Sequence, residues 1–236
     1  MATSAHPLGI RLADDLHRVF GDRLQSLVAY GPRIEGDADA PLTCLALVTT
    51  LTFADLEALA RRSAEWVRQG IGMPLVLSAD EFLQSLDAFP LEYGEIIRAH
   101  QVLFGQSPFE SAAIDPSDLR RACETQVKSH LVHLRQGFIQ TGGRPPAIAA
   151  LVTASAAPFA ALLRNVARLN GVNIGDRMQV TQEGARVAGL DGGIVSDILA
   201  LERGTSVPTT DPARLFPSYL AAVERLANVV DAWHSA

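Results

Sequence analysis

Aromatic residues, lysine and cysteine are scarce in this chain of 236 residues. Phe, Trp and Tyr together make up 6 %, too few for the aromatic platforms on which single-stranded nucleic acids stack. Lys128 is the single lysine; every other basic side chain is arginine, a bias that points to a GC-rich coding genome and says little about function. The two cysteines, Cys44 and Cys123, supply neither a disulfide framework nor a four-ligand zinc site, and they fit a reducing, cytoplasmic compartment. Positive charge is in deficit: 20 Lys and Arg against 26 Asp and Glu give a net charge of −6, which argues against a nucleic-acid partner. The opening stretch acquires charge by Arg11 and so has no uninterrupted signal-peptide core. The longest weakly polar run, Pro145 to Leu163, is mostly alanine and contains Thr153, Ser155 and Pro158. It reads as a buried helix rather than a membrane span, so no membrane partner is expected.

What is present is a globular composition. Hydrophobic residues reach 48 % and charged residues 19 %, enough apolar surface to bury a core and the reverse of a disordered chain. The length suits one large domain or two small ones.

The first half alternates in type. Ile10, Leu12, Leu16, Val19 and Phe20 recur near helical period and stop at Gly21. Leu24 to Tyr30 is a short apolar run entering the turn Gly31-Pro32, and Leu42 to Thr50 is a second, β-rich run. Thr52 is placed to cap a helix from Phe53 to about Gln69, with Asp55 and Glu57 in its first turn. Pro74 to Leu77 reads as a third strand, and Ser78 with Glu81 forms a capping box for a short helix to about Leu86. Leu91 to Phe104 fits a strand and a short helix in either order.

From Pro116 onward only helical patterns occur. Leu119, Ala122, Cys123, Val127, Leu131, Leu134 and Phe138 form one stripe that ends at Gly142-Gly143. A second helix follows Pro145-Pro146 to about Asn170, with Pro158 as a potential kink, and shorter ones are expected at Arg177–Val187 and Gly193–Arg203. A last helix runs from about Pro212 to Trp233. The fold class expected is α+β: a small mixed sheet with helices over residues 1–110, then an all-α helical bundle over 111–236. The bundle is the half expected to mediate self-association or contact with a protein partner.

The most informative stretch is Ser26-Leu-Val-Ala-Tyr-Gly-Pro-Arg-Ile-Glu-Gly-Asp-Ala-Asp, residues 26–39, followed by the run at Leu42–Val48. It resembles the first motif of the nucleotidyltransferase superfamily, the DNA polymerase β-like group. In that motif a strand ends in Tyr-Gly-Ser-Arg-Ala-Arg-Gly-Asp, and an Asp-x-Asp opens the next strand. Tyr30, Gly31, Arg33, Gly36 and Asp37 stand where the pattern puts them. Phe89-Pro-Leu-Glu-Tyr and Val102-Leu-Phe-Gly resemble the end of such a domain in small bacterial members. The resemblance covers residues 8–110 and implies a nucleotidyltransferase-like fold. In the family, a glycine after the strand lets the backbone approach a triphosphate, and a serine and a helix N-terminus bind phosphate oxygens. Two carboxylates on alternate strand positions face one way and hold the Mg²⁺ that bridges triphosphate and attacking hydroxyl.

This chain departs at those residues. The serine position is Pro32, which has no hydroxyl and no backbone N–H. Counting on from Gly36-Asp37, the carboxylate positions fall on Thr43 and Leu45. Glu92 or Glu95 fits the third position, but one carboxylate cannot assemble a two-metal site. The expectation is therefore a catalytically inactive nucleotidyltransferase-like protein without a cofactor, a scaffold or a sensor of a phosphorylated or nucleotide ligand that would bind at Gly31 and Arg33. The alternative is an active transferase using Mg²⁺ and a nucleoside triphosphate, with a relocated metal site built from Asp37, Asp39 and Glu92 or Glu95.

Other constellations carry less. His130 and His133 are three apart with no third ligand at fixed spacing, and read as boundary residues rather than a metal site. Cys44 and Cys123 lie in apolar patterns and read as small buried hydrophobes. Gly189-Leu-Asp-Gly-Gly follows a helix, not a strand, and reads as an interhelical turn.

Overall fold

A computed structural model describes residues 7–110, 112–172, 177–202 and 211–233. The chain forms two compact units, 1–115 and 116–236.

The first unit is a four-stranded mixed sheet with helices. In chain order it contains α1 (Pro7–Phe20), β1 (Leu24–Tyr30), β2 (Thr43–Val48), α2 (Phe53–Ala60), α3 (Ser63–Arg68), β3 (Leu75–Ser78), α4 (Ala79–Gln84), α5 (Pro90–Arg98) and β4 (His100–Gly105). The strand order is β3-β2-β1-β4. β1 pairs antiparallel with both β2 and β4, and β2 pairs parallel with β3. Both central strands are covered on both faces, which explains why LVAY and CLALV read as nearly unbroken apolar runs. Alternate residues divide between two cores. Leu27, Ala29, Cys44, Ala46 and Val48 pack with Leu12, Leu16 and Phe20 of α1 and with Trp66 of α3. Val28, Leu45 and Leu47 pack with Phe82 of α4, Tyr93 and Ile96 of α5, and Phe109.

Polar ties fix the first layer. Asp15 on α1 accepts from the Trp66 indole N–H at 3.0 Å and from Arg62 Nη1 at 2.8 Å. Arg23, just before β1, forms a two-bond fork with Asp55 at 2.8 and 2.7 Å. Asp55 also completes the capping box with Thr52, and the Arg23 guanidinium holds its carboxyl well below the usual carboxylate range.

Several expectations needed adjustment. The helix expected from Phe53 to Gln69 is two helices, broken at Arg61-Arg62. The Ser63 hydroxyl donates to the Ala60 carbonyl at 2.8 Å, and Arg62 turns toward Asp15, so the backbone ladder is interrupted there. Ile10 lies off the buried face of α1, which is formed by Gly9, Leu12, Ala13, Leu16 and Phe20. The open order in Leu91–Phe104 resolves as helix first, with Pro90 at the helix N-terminus, and then the edge strand β4.

The second unit is helical: α6 (Pro116–Thr141), α7 (Pro145–Leu169), α8 (Arg177–Val187), α9 (Gly192–Glu202) and α10 (Pro212–Ala232). α7 is the hub, packing against all four others. By length and composition it is apolar enough to cross a membrane. Its C-terminal half nevertheless buries Arg164 and Asn165 against Thr181 and Gln126, the polar pairing of a bundle core. Tyr219 of α10 lies fully buried beneath α6 and α7, its hydroxyl donating to the Ser155 carbonyl at 3.2 Å and meeting His130 Nε2 at 2.8 Å.

Candidate functional site

Gly31, Arg33, Asp37, Asp39 and Thr43 lie at the end of the sheet where β1 gives way to the loop 31–42. Gly31 makes that turn with a φ of +81°, a conformation that costs glycine nothing and strains other residues. The loop then closes on itself. The amides of Ile34 and Glu35 donate to the Gly31 carbonyl at 2.9 and 3.1 Å, and the Asp37 amide donates to the Pro32 carbonyl at 2.9 Å. Asp37 Oδ1 accepts from the amides of Asp39 and Ala40 at 3.1 and 3.3 Å. Arg33 is half-buried, and its Nη1 donates to the Ala40 carbonyl at 2.6 Å, so the guanidinium clasps the two ends of the loop. Glu35 reaches out of the loop to Arg98 Nη2 at 2.6 Å, tying it to the end of α5.

Gly31 and Arg33 therefore sit together, but most amides that could cradle a phosphate are already spent within the turn, and Pro32 has none to offer. Arg33 retains guanidinium N–H groups beyond the one given to Ala40.

Thr43 opens β2 opposite Tyr30 and is half-buried, its hydroxyl lying between the turns at Gly31 and Gly72. Leu45 lies opposite Val28 and is 0 % exposed. It faces the core formed with Phe82, Tyr93 and Ile96 and not a cleft. A hydroxyl and a buried isobutyl group do not make the donor set of a divalent cation, which takes carboxylate, carbonyl and water oxygens. The residues at these two positions thus do not fit the metal that the fold family uses.

Asp37 and Asp39 are exposed on the loop, Glu92 is exposed on α5, and Glu95 is half-buried one turn further on. Among the described residues no three His, Cys, Asp or Glu side chains are grouped so as to hold a metal ion.

His100 and Ser107 carry no sequence signature. His100 opens β4 opposite Tyr30. Its Nδ1 lies 3.1 Å from the Ile97 carbonyl and its Nε2 lies 3.2 Å from the Ser107 hydroxyl. The ring meets Phe109 edge-on at 4.6 Å, so the pair pins the segment after β4 back onto the sheet. Burial raises the pKa of the neighbouring Tyr30 hydroxyl, and it stays protonated at neutral pH.

No protein-family model matches the chain, and no curated protein matches it. Among solved structures it is similar to a spectinomycin adenyltransferase from Enterococcus faecialis, crystallised with ATP and spectinomycin. Identity is 12 %, the match covers 97 % of this chain and 100 % of that one, and the TM-score is 0.62. At that identity the likeness is one of fold: a nucleotidyltransferase-like α+β arrangement with a helical C-terminal part.

Proposed function

We propose that this chain is a nucleotidyltransferase-fold protein that transfers no nucleotide, its α/β unit serving as a scaffold and its helical unit as the contact for a second copy or a protein partner. The observation that carries this reading is Leu45. By the spacing from Gly36-Asp37 it falls where the family's second carboxylate is expected, and it is packed into the core. The self-closed loop at Gly31 supports the same reading, because a triphosphate would compete with hydrogen bonds the loop already makes. A second reading, a sensor for a nucleotide or another phosphorylated ligand, is favoured by the guanidinium N–H groups that Arg33 keeps beyond Ala40. Two free, buried thiols suit a cytoplasmic setting for either.

The test is thermal unfolding of the full chain with each nucleoside triphosphate, with and without Mg²⁺, beside an assay for pyrophosphate release with ATP and spectinomycin. A ligand at 100 times its Kd stabilises a fold by about 2.7 kcal/mol, a readily visible shift. The scaffold reading expects no shift and no pyrophosphate. A Mg²⁺-independent shift abolished by Arg33→Gln would replace the scaffold with the sensor. A Mg²⁺-dependent shift with pyrophosphate release would overturn both and point to a relocated metal site at Asp37, Asp39 and Glu92 or Glu95.

A further inference from the structure

A cavity of about 540 Å³ opens between α9 and α10 in the helical unit, within the size range of small-molecule sites. Leu190, Ile194, Leu215 and Ala222 supply apolar wall, and Arg225 and Asp197 line the same space. Arg225 is held in place. Its Nε donates to the Ala188 carbonyl at 2.9 Å, and its guanidinium lies over Gly189. That glycine has a φ of +61°, and a Cβ there would stand 2.5 Å from Nη2, so any other residue would displace the guanidinium. Asp191, the other acid in the lining, spends Oδ1 on the amides of Gly193 and Ile194 at 2.9 and 3.1 Å as the cap of α9. Asp197 makes no ion pair or hydrogen bond among the described residues, and Arg225 pairs with neither acid.

Asp197 on α9, half-buried, and Arg225 on α10, exposed, line the same cavity without pairing. Each then keeps its donors or acceptors for something else. A simple anion on Arg225 would face Asp191 and Asp197, and a simple cation on Asp197 would face Arg225. A neutral apolar ligand would strip water from both charges and return no partner to either. We propose that this cavity binds a small zwitterion with an apolar body, its carboxylate on Arg225, its ammonium on Asp197 and its side chains on Leu190, Ile194 and Leu215. The site lies wholly within the helical unit and does not depend on the reading of the Gly31 loop.

The probe is the dipeptide Leu-Leu, titrated into the ¹⁵N-labelled full chain while the amides of Ile194, Ser218 and Ala222 are followed. N-acetyl-Leu-Leu, which lacks the ammonium, and Leu-Leu amide, which lacks the carboxylate, serve as single-charge controls. The expected result is a saturable shift of these amides with Leu-Leu, each control binding at least about tenfold more weakly. Arg225→Gln should bind Leu-Leu and its amide alike, and Asp197→Asn should bind Leu-Leu and its N-acetyl form alike. The absence of a saturable shift overturns the proposal. So does equal binding of all three probes by the unaltered chain, or unchanged selectivity in both variants.

Discussion

Placing a carboxylate at position 45 tests whether it belongs to a core or to a site. Leu45 is 0 % exposed and packs against Val28, Phe82, Tyr93 and Ile96. Removing its side chain, as in Leu45→Ala, costs about 2–5 kcal/mol through lost burial and the cavity left behind. Leu45→Asp adds a second cost. To sit in that core at pH 7 the carboxyl must stay protonated, and moving its pKa from near 4 to above 7 costs about 4 kcal/mol. Together these come to roughly 6–9 kcal/mol, a large part or all of the 5–15 kcal/mol that holds a domain folded. Thr43→Asp should cost less than about 1 kcal/mol, because Thr43 is half-buried at the mouth of the strand. The assay is urea unfolding of the full chain in a Trp233→Phe background. Trp66, buried to 1 % exposure in the sheet unit, is then the only indole and reports on that unit alone. A Leu45→Asp chain as stable as Leu45→Ala would refute the reasoning. The new carboxylate would then be reaching water or a cation, and position 45 would line an open site.

His130 gives a pH signature in the helical unit. Burial, with a smaller contribution from His133, holds its pKa down at about 4, against 6.5 when unfolded. Its contribution is complete above pH 6.5 and is lost as pH falls toward 4, up to about 3 kcal/mol, so urea midpoints should drop between neutral and mildly acidic buffer and His130→Gln should flatten that drop. The thiols of Cys44 and Cys123 are buried, and burial pushes both up to about 12. Ellman's reagent should label neither in the folded chain at mildly alkaline pH and both in concentrated guanidinium, whereas prompt labelling of either thiol in the folded chain would contradict its burial.

Local chemistry in this sequence announces most of its elements. Thr52 with Asp55 and Ser78 with Glu81 read as capping boxes, and both form. The apolar runs at 24–30 and 43–48 read as buried strands because alternate residues meet different cores, leaving no polar face to interrupt them. What could not be read depends on contacts distant in sequence. The break at Arg61-Arg62 follows from Asp15, 47 residues away from Arg62, and from a serine hydroxyl competing for a carbonyl. The order of helix and strand in Leu91–Phe104 is fixed by the pairing of β4 with β1. At the loop, the turn at Gly31 is legible in the sequence, but the tie from Arg33 to Ala40 and the pin between His100 and Ser107 have no sequence signature.

The same physics says what a carboxylate would cost at position 45. A carboxylate at the Leu45 position of a strand covered on both faces is a standing cost, several kcal/mol of desolvation unless an ion or a guanidinium meets it. Only ligand chemistry would retain it there. An apolar residue at the same position strengthens the core it faces, and Leu45 is part of the packing around Phe82 and Tyr93. Pro32 follows a similar logic. It removes an amide that a phosphate would use, while its carbonyl accepts from Asp37 and stiffens the turn. Gly31, by contrast, remains glycine because its φ of +81° belongs to the path of the chain out of β1, with or without a ligand. Arg33 likewise has a structural task in this turn, its tie to the Ala40 carbonyl, whether or not a ligand binds.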